Sequence, residues 1–134
     1  MVTRADHMNR DDFLQMLYAV ADKDTSSDPE NWTAENKLWG HCAVVALLAQ
    51  DIFGGELLRA PLAGTEFERM RSHYWNVFTQ GEYDFTESQF CGKRPQLAGV
   101  IASRLYVLSH HATRVRYAKL TKRCFEFLKE KKRE

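Results

Sequence analysis

Apolar residues recur at helical spacing early in the chain: Phe13, Leu14, Met16, Leu17, Val20 and Ala21 form one stripe. Asn9 precedes the stripe as an N-cap, with Asp11 and Asp12 behind it. The pattern predicts a helix opening near Asn9, its acidic side chains set against the positive end of the helix dipole. The polar run Asp24 to Pro29 ends that helix. A loop then continues to Gly40, pinned to the core by Trp32 and Trp39. Every residue from Cys42 to Ala49 is apolar, followed by Gln50-Asp51-Ile52-Phe53 and Gly54-Gly55. Such a run predicts a helix over 42–53 that is buried on most sides, at the centre of the fold. Glycine, free to take left-handed backbone, terminates it.

Glu56 to Leu62 predicts a strand stopped by Pro61 and Gly64, and Ser72 to Phe78 an aromatic and β-branched second strand. Thr79-Gln80-Gly81 supplies a turn, with a third strand from Glu82 to Phe85. Thr86-Glu87-Ser88-Gln89 fits a capping box, so a short helical turn is expected after Phe85. Leu97, Val100, Ile101, Leu105 and Leu108 predict a helix over 97–109. A last helix from about Thr113 should bury Tyr117, Leu120, Cys124 and Phe127. The order of elements predicts an α+β fold, with residues 1–134 as one domain. In it a central buried helix packs on a small antiparallel sheet, flanked by N- and C-terminal helices.

Composition narrows the class. A chain of 134 residues, 44% of them hydrophobic, can bury a core without disulfides or a structural metal. The longest apolar run is eight residues, far short of a membrane span. Met1 to His7 lacks the apolar stretch of a signal peptide, so a cytoplasmic location with no membrane partner is expected. Cys42, Cys91 and Cys124 form no CxxC pair and no even-numbered framework, and free thiols are expected. Net charge is only +1 but unevenly spread. Residues 1–35 carry three basic and eight acidic side chains, while Ala112 onward carries nine basic and three acidic. A basic last helix could touch nucleic acid, but without an aromatic platform or glycine-rich loop it reads first as a solvated helix face.

The residues best suited to chemistry begin at Cys42. A thiol acts as a nucleophile only as thiolate, which the unpaired amides and dipole of a helix start favour. Gly40 allows the tight turn into the helix, and the same amides could hold an oxyanion. Downstream, His73 begins the second strand and Asp84 lies on the third. The order cysteine, histidine, aspartate supplies a nucleophile, a base and a group to orient the base. Hairpin register decides whether the last two meet. A four-residue loop Phe78–Gly81 sets Asp84 opposite Trp75, diagonal to His73 and roughly 7–8 Å away. A two-residue loop Gln80–Gly81 sets it opposite Val77, about 13 Å from His73 along the strand.

Plainer readings stand beside each residue. Cys42 could be a small core hydrophobe, His73 an exposed strand residue, and Asp84 the cap of the following turn. His41 is a rival base, although adjacent residues at a helix start point in different directions. Cys124 falls on an apolar stripe and reads as core, Cys91 as a loop thiol, and His110-His111 as a loop pair.

Several blocks resemble the YunG-like family of small, largely uncharacterised bacterial proteins. They are Gly40-His41-Cys42-Ala43-Val44-Val45-Ala46-Leu47, Gln50 to Glu56, Ser72-His73-Tyr74-Trp75-Asn76, Tyr83-Asp84-Phe85-Thr86 with Gln89-Phe90, and Thr113 to Tyr117. The arrangement is in turn similar to the papain-like thiol hydrolase superfamily, including transglutaminase-like folds. That resemblance implies Cys42 as nucleophile, His73 as base and Asp84 as its orienter. Papain-like peptidases often carry an oxyanion-hole glutamine six residues before the nucleophile, where this chain has Asn36. Asn36, Trp39, His41 and Trp75 are the oxyanion or substrate candidates.

The leading expectation is a thiol hydrolase acting on the amide bond of a peptide, a protein or a small molecule, with no cofactor. The alternative is a non-catalytic binding domain whose aromatic residues Trp32, Trp39, Tyr74 and Trp75 line a groove. A zinc site from Cys42, His73 and Asp84 ranks third, since nothing in the spacing demands a metal. Nucleic-acid binding ranks last.

Overall fold

The computed structural model describes residues 8–133; the stretch Met1 to His7 that bears on a signal peptide lies outside them. Helix α1 (Arg10–Val20) opens as its sequence dictates: the Asn9 side chain accepts a hydrogen bond from the Asp12 amide at 2.8 Å, and Phe13, Met16 and Leu17 form the buried face. Two single 3₁₀ turns, Lys23–Thr25 and Pro29–Asn31, shape the loop to Gly40. Helix α2 spans Cys42–Phe53, and Cys42 and Val44 through Ala49 are all buried. It packs against the sheet on one side and against the last helix on another, which explains an apolar surface that is not confined to one stripe.

Strands β1 (Glu56–Pro61), β2 (Ser72–Phe78), β3 (Gly81–Tyr83) and β4 (Val100–Ala102) form one antiparallel sheet in the order β3-β2-β1-β4. Helix α3 (Arg104–Leu108) and helix α4 (His111–Arg133) complete the described residues. Four α-helices and this sheet make the α+β fold that the element order predicts. α4 lies against both α1 and α2. One apolar cluster joins α1, α2 and α4 around Phe13, Leu17, Val45 and Leu120; a second joins α2 to the sheet through Ala46, Leu47 and Leu57. Trp75, Leu58 and Ala60 form a third cluster on the other face of the sheet. Among the described residues no helix is long and apolar enough to cross a membrane.

Three expectations change. Residues 97–109 are not one helix: Val100–Ala102 pair with Leu57–Arg59 as β4, and Ser103 then caps α3 by accepting from the Tyr106 amide at 3.2 Å. The β-branched pair Val100-Ile101 suits an edge strand, where alternation is weak because both side chains stay about two-thirds exposed, 64% and 65%. The turn after Thr86 forms (Glu87–Phe90), but its threonine is no cap. Thr86 instead bonds Asp84, and Gln89 bonds Thr86. α4 begins at His111, and Tyr117 and Phe127 are half-buried beside fully buried Leu120 and Cys124. The charge imbalance between the chain's two ends is partly an internal pairing, since Arg123 grips Asp24 with both Nη atoms at 2.7 and 2.6 Å.

Candidate functional site

The approach to Cys42 is built by its preceding turn. Gly40 sits at φ +77°, and a Cβ there would lie 2.3 Å from Ser26 Oγ and 3.0 Å from the Ser27 amide. Ser26 cannot retreat, since its hydroxyl donates to the Trp39 carbonyl at 2.7 Å and accepts from the Asp28 amide. Strain and overlap act together, so Gly40→Ala should cost about 2–4 kcal/mol. Urea unfolding measures it, and a loss below about 1 kcal/mol would show that the turn can relax.

Cys42 is 7% exposed, and its Sγ lies 3.9 Å from the Ser72 carbonyl where β2 begins. His73, the next residue, is fully buried. Its ring is stacked on Trp75 at 5.4 Å and met edge-on by Phe90 at 4.9 Å, which fixes its plane. The β2–β3 ladder pairs Phe78 with Gly81 and Asn76 with Tyr83. Continued one step, that register sets Asp84 level with Trp75, the diagonal arrangement of the two considered from sequence. The diagonal closes: His73 Nε2 donates to Asp84 Oδ2 at 2.6 Å. Oδ2 also accepts from Arg94 Nε at 2.7 Å, while Oδ1 accepts from the Thr86 amide and hydroxyl at 3.1 and 3.3 Å.

The electrostatics follow from these contacts. Burial is the largest influence on His73 and opposes charge on it, but the Asp84 carboxylate, helped by the nearby Cys42 sulfur, outweighs burial and lifts the imidazole to about 9. Burial also works against the Asp84 carboxylate, yet His73 and Arg94 hold it below its ordinary range. The buried Nδ1 of His73, the nitrogen not given to Asp84, has no hydrogen bond of regular geometry.

Four further residues, Asn36, Trp39, His41 and Trp75, have definite places. Asn36 donates Nδ2 to the Gln89 carbonyl at 3.0 Å, so this amide hydrogen is already in use. Trp39 is half-buried, its Nε1 donating to Asp28 at 3.1 Å. His41 is fully buried, with Nδ1 donating to the Trp39 carbonyl at 3.0 Å. Its Nε2 therefore accepts from the Thr25 hydroxyl at 2.7 Å, and burial pushes the ring down to about 4. Both nitrogens being spent, it braces the turn rather than offering a free base. Trp75 corrects the expectation of an exposed aromatic groove: it is 2% exposed, with Nε1 donating to Glu82. Trp32 and Tyr74 are half-buried.

Sequence reasoning passed over the residues that join the two halves of this cluster. Gln89 is buried; its Oε1 accepts from the Gly40 amide at 3.1 Å and its Nε2 donates to Thr86. A continuous chain of hydrogen bonds thus runs from Asp84 through Thr86 and Gln89 to the turn before Cys42. The Thr-x-x-Gln spacing was visible but fitted a helix cap equally well. Arg94, which lies over the Trp75 ring at 5.0 Å, gave no signal because it sits in an aperiodic loop. Cys124 is buried and its thiol pushed up to about 12, as a core residue should be, while Cys91 is exposed. Among the described residues no three His, Cys, Asp or Glu side chains are arranged to hold a metal ion.

The fold and site define a class: an α+β domain with a thiol, an imidazole and a carboxylate gathered where a buried helix begins against a sheet. The chain belongs to the YunG protein family, whose family model matches residues 9–129. No curated protein and no solved structure matches it.

Proposed function

We propose that this protein is a cytosolic thiol hydrolase that cleaves an amide bond in a peptide, protein or small amide, by a papain-like arrangement of Cys42, His73 and Asp84. One observation carries the reading: His73 is clamped through Nε2 to Asp84, leaving Nδ1 unbonded in a ring that also interacts with the Cys42 thiol. In this reading Nδ1 already carries the proton drawn from the thiol at neutral pH, as the raised pKa of His73 allows, and Sγ bonds to the amide carbonyl carbon. The oxyanion is held by first-turn amides of α2, a helix with no side-chain cap. The C–N bond then breaks as the imidazolium returns its proton to the leaving amine, and water hydrolyses the thioester to release acid and thiol. Asp84 keeps the ring oriented and stabilises its charged form.

The slight exposure of Cys42 favours a second reading, a binding domain whose thiol is structural. Site-resolved iodoacetamide labelling in a Cys91→Ser background separates them. The hydrolase reading expects Cys42 to label faster than free cysteine near pH 6.5, and His73→Gln to slow it at least tenfold. Labelling slower than free cysteine, indifferent to His73, would establish the structural reading instead.

A further inference from the structure

Of the six half-buried arginines among the described residues, three meet a carboxylate. Arg94 has Asp84, Arg104 has Asp51 at 2.8 Å, and Arg123 has Asp24; Arg10 instead covers the Tyr83 ring. Arg59 and Arg116 depart from this. Both are half-buried, both have a buried Nε with no hydrogen-bond partner, and neither has an acidic partner among the described residues. Arg116 makes one weak contact, from Nη2 to the Thr113 hydroxyl at 3.4 Å. A desolvated guanidinium without a counter-charge is costly, so its retention calls for an explanation.

Their placement supplies one. Arg59 stands opposite Tyr74 in the β1–β2 ladder and shares a sheet face with Leu57, which packs on α2. Tyr74 packs against that same α2 cluster. Arg116 lies one turn before buried Leu120 on α4, the helix that packs against α2. The two cations therefore approach the beginning of α2 from two sides, one from the sheet and one from the last helix. Electrostatics agree: burial lowers the Arg116 pKa while Cys42 is the one charge-bearing group that offsets this, and Tyr74 feels both Arg59 and Cys42.

We propose that Arg59 and Arg116 form an oxyanion-recognising subsite beside Cys42, which selects substrates carrying a carboxylate or phosphate group next to the scissile amide. The planar forks of two guanidiniums suit such a group, and the missing counter-charge is the ligand's own. The inference rests on the hydrolase reading for the word substrate, but the anion site stands on the arginines alone.

Two measurements test it. The first compares labelling of Cys42 by iodoacetate, which is anionic, with labelling by neutral iodoacetamide. Relative to free cysteine, the rate ratio should favour iodoacetate by roughly tenfold at low salt and fall as salt rises. Arg59→Gln and Arg116→Gln should each reduce the preference several-fold while leaving the urea midpoint unchanged or higher. The second measures Tm shifts of the Cys42→Ser protein with succinate and with inorganic phosphate in separate arms. A shift with either, lost in both arginine variants, supports the site and identifies the oxyanion. If Cys42 resists both reagents the hydrolase reading fails, and the Tm arms decide the subsite alone. No shift with either anion, or a shift that survives both arginine variants, overturns it.

Discussion

Asp84→Ala is expected to be the most damaging single substitution at the site, costing about 3–5 kcal/mol. The carboxylate accepts four hydrogen bonds, from His73, Arg94 and both donors of Thr86, with its side chain 5% exposed. Its removal strands a fully buried imidazole with no regular hydrogen bond at either nitrogen, and leaves the Arg94 guanidinium, 25% exposed, without its anion. The damage should spread beyond the pair. Thr86 loses the acceptor that fixes it, and through Gln89 so does the turn at Gly40.

Asp84→Asn separates charge from shape. It keeps a hydrogen-bonding oxygen near His73 and should destabilise less. Yet the His73 pKa must fall from about 9, because burial is then opposed chiefly by Cys42. Ring-proton NMR should place it at or below the ordinary histidine value, near 6.5. In the hydrolase reading, turnover drops by roughly a thousandfold or more as the base loses its orientation, and labelling slows about tenfold. Urea unfolding of the alanine variant and NMR titration of the asparagine variant test separate parts of this account. A change under about 1 kcal/mol in the first, or an unmoved His73 pKa in the second, would remove Asp84 from the centre of the site.

The sequence makes the scaffold of this cluster plainer than its wiring. Asn9 with Asp11 and Asp12, the apolar run into Gln50, and Gly54-Gly55 each state a local preference that tertiary packing did not overrule. Cys42 at a helix start was legible for that reason. The His73–Asp84 pairing was only half legible, because periodicity tells which face a strand residue takes but not the register across a short turn. Phe78 paired with Gly81 settles the register, and Gly55 reinforces it. Any Cβ on Gly55 would sit 2.3 Å from the Val77 carbonyl, so this strand end fits only against glycine. The reading of 97–109 as a helix failed on a coincidence: Leu97, Ile101, Leu105 and Leu108 keep helical spacing across a chain that changes structure at Ser103. Trp75 read with Trp32, Trp39 and Tyr74 as part of an exposed groove beside Cys42. The aperiodic segment around Leu97 and Gly99 covers it instead, and a Gly99 Cβ would meet the indole at 2.6 Å.

The second large effect is a stability maximum near pH 6.5, produced by two histidines with opposite burdens. His41 is held neutral in the fold chiefly by burial: its Nδ1–H donates to a carbonyl and its Nε2 meets only the Thr25 hydroxyl, with no carboxylate bonded to the ring to offset the loss of water. Its folded pKa of about 4 lies below the unfolded value of about 6.5, so the folded state binds fewer protons between them. Its contribution is complete above pH 6.5 and is lost as the pH falls through 4. His73 behaves in the reverse sense. With a folded pKa of about 9, the folded state holds a proton that the unfolded chain releases above about 6.5. That stability is complete below pH 6.5 and is lost as the pH rises through 9. Each shift corresponds to on the order of 3 kcal/mol, a large part of what a domain this size commands. Asp84, held below its ordinary range, adds a loss only in stronger acid, beginning under about pH 4 and completed below its own depressed pKa. Urea midpoints measured from pH 4.5 to 9 should trace a peak with both limbs falling. His41→Gln should flatten the acid limb and His73→Gln the alkaline one, while each lowers the maximum. A profile that climbs steadily from pH 6.5 to 9, or limbs indifferent to both substitutions, would show that neither ring carries the charge state its partners impose.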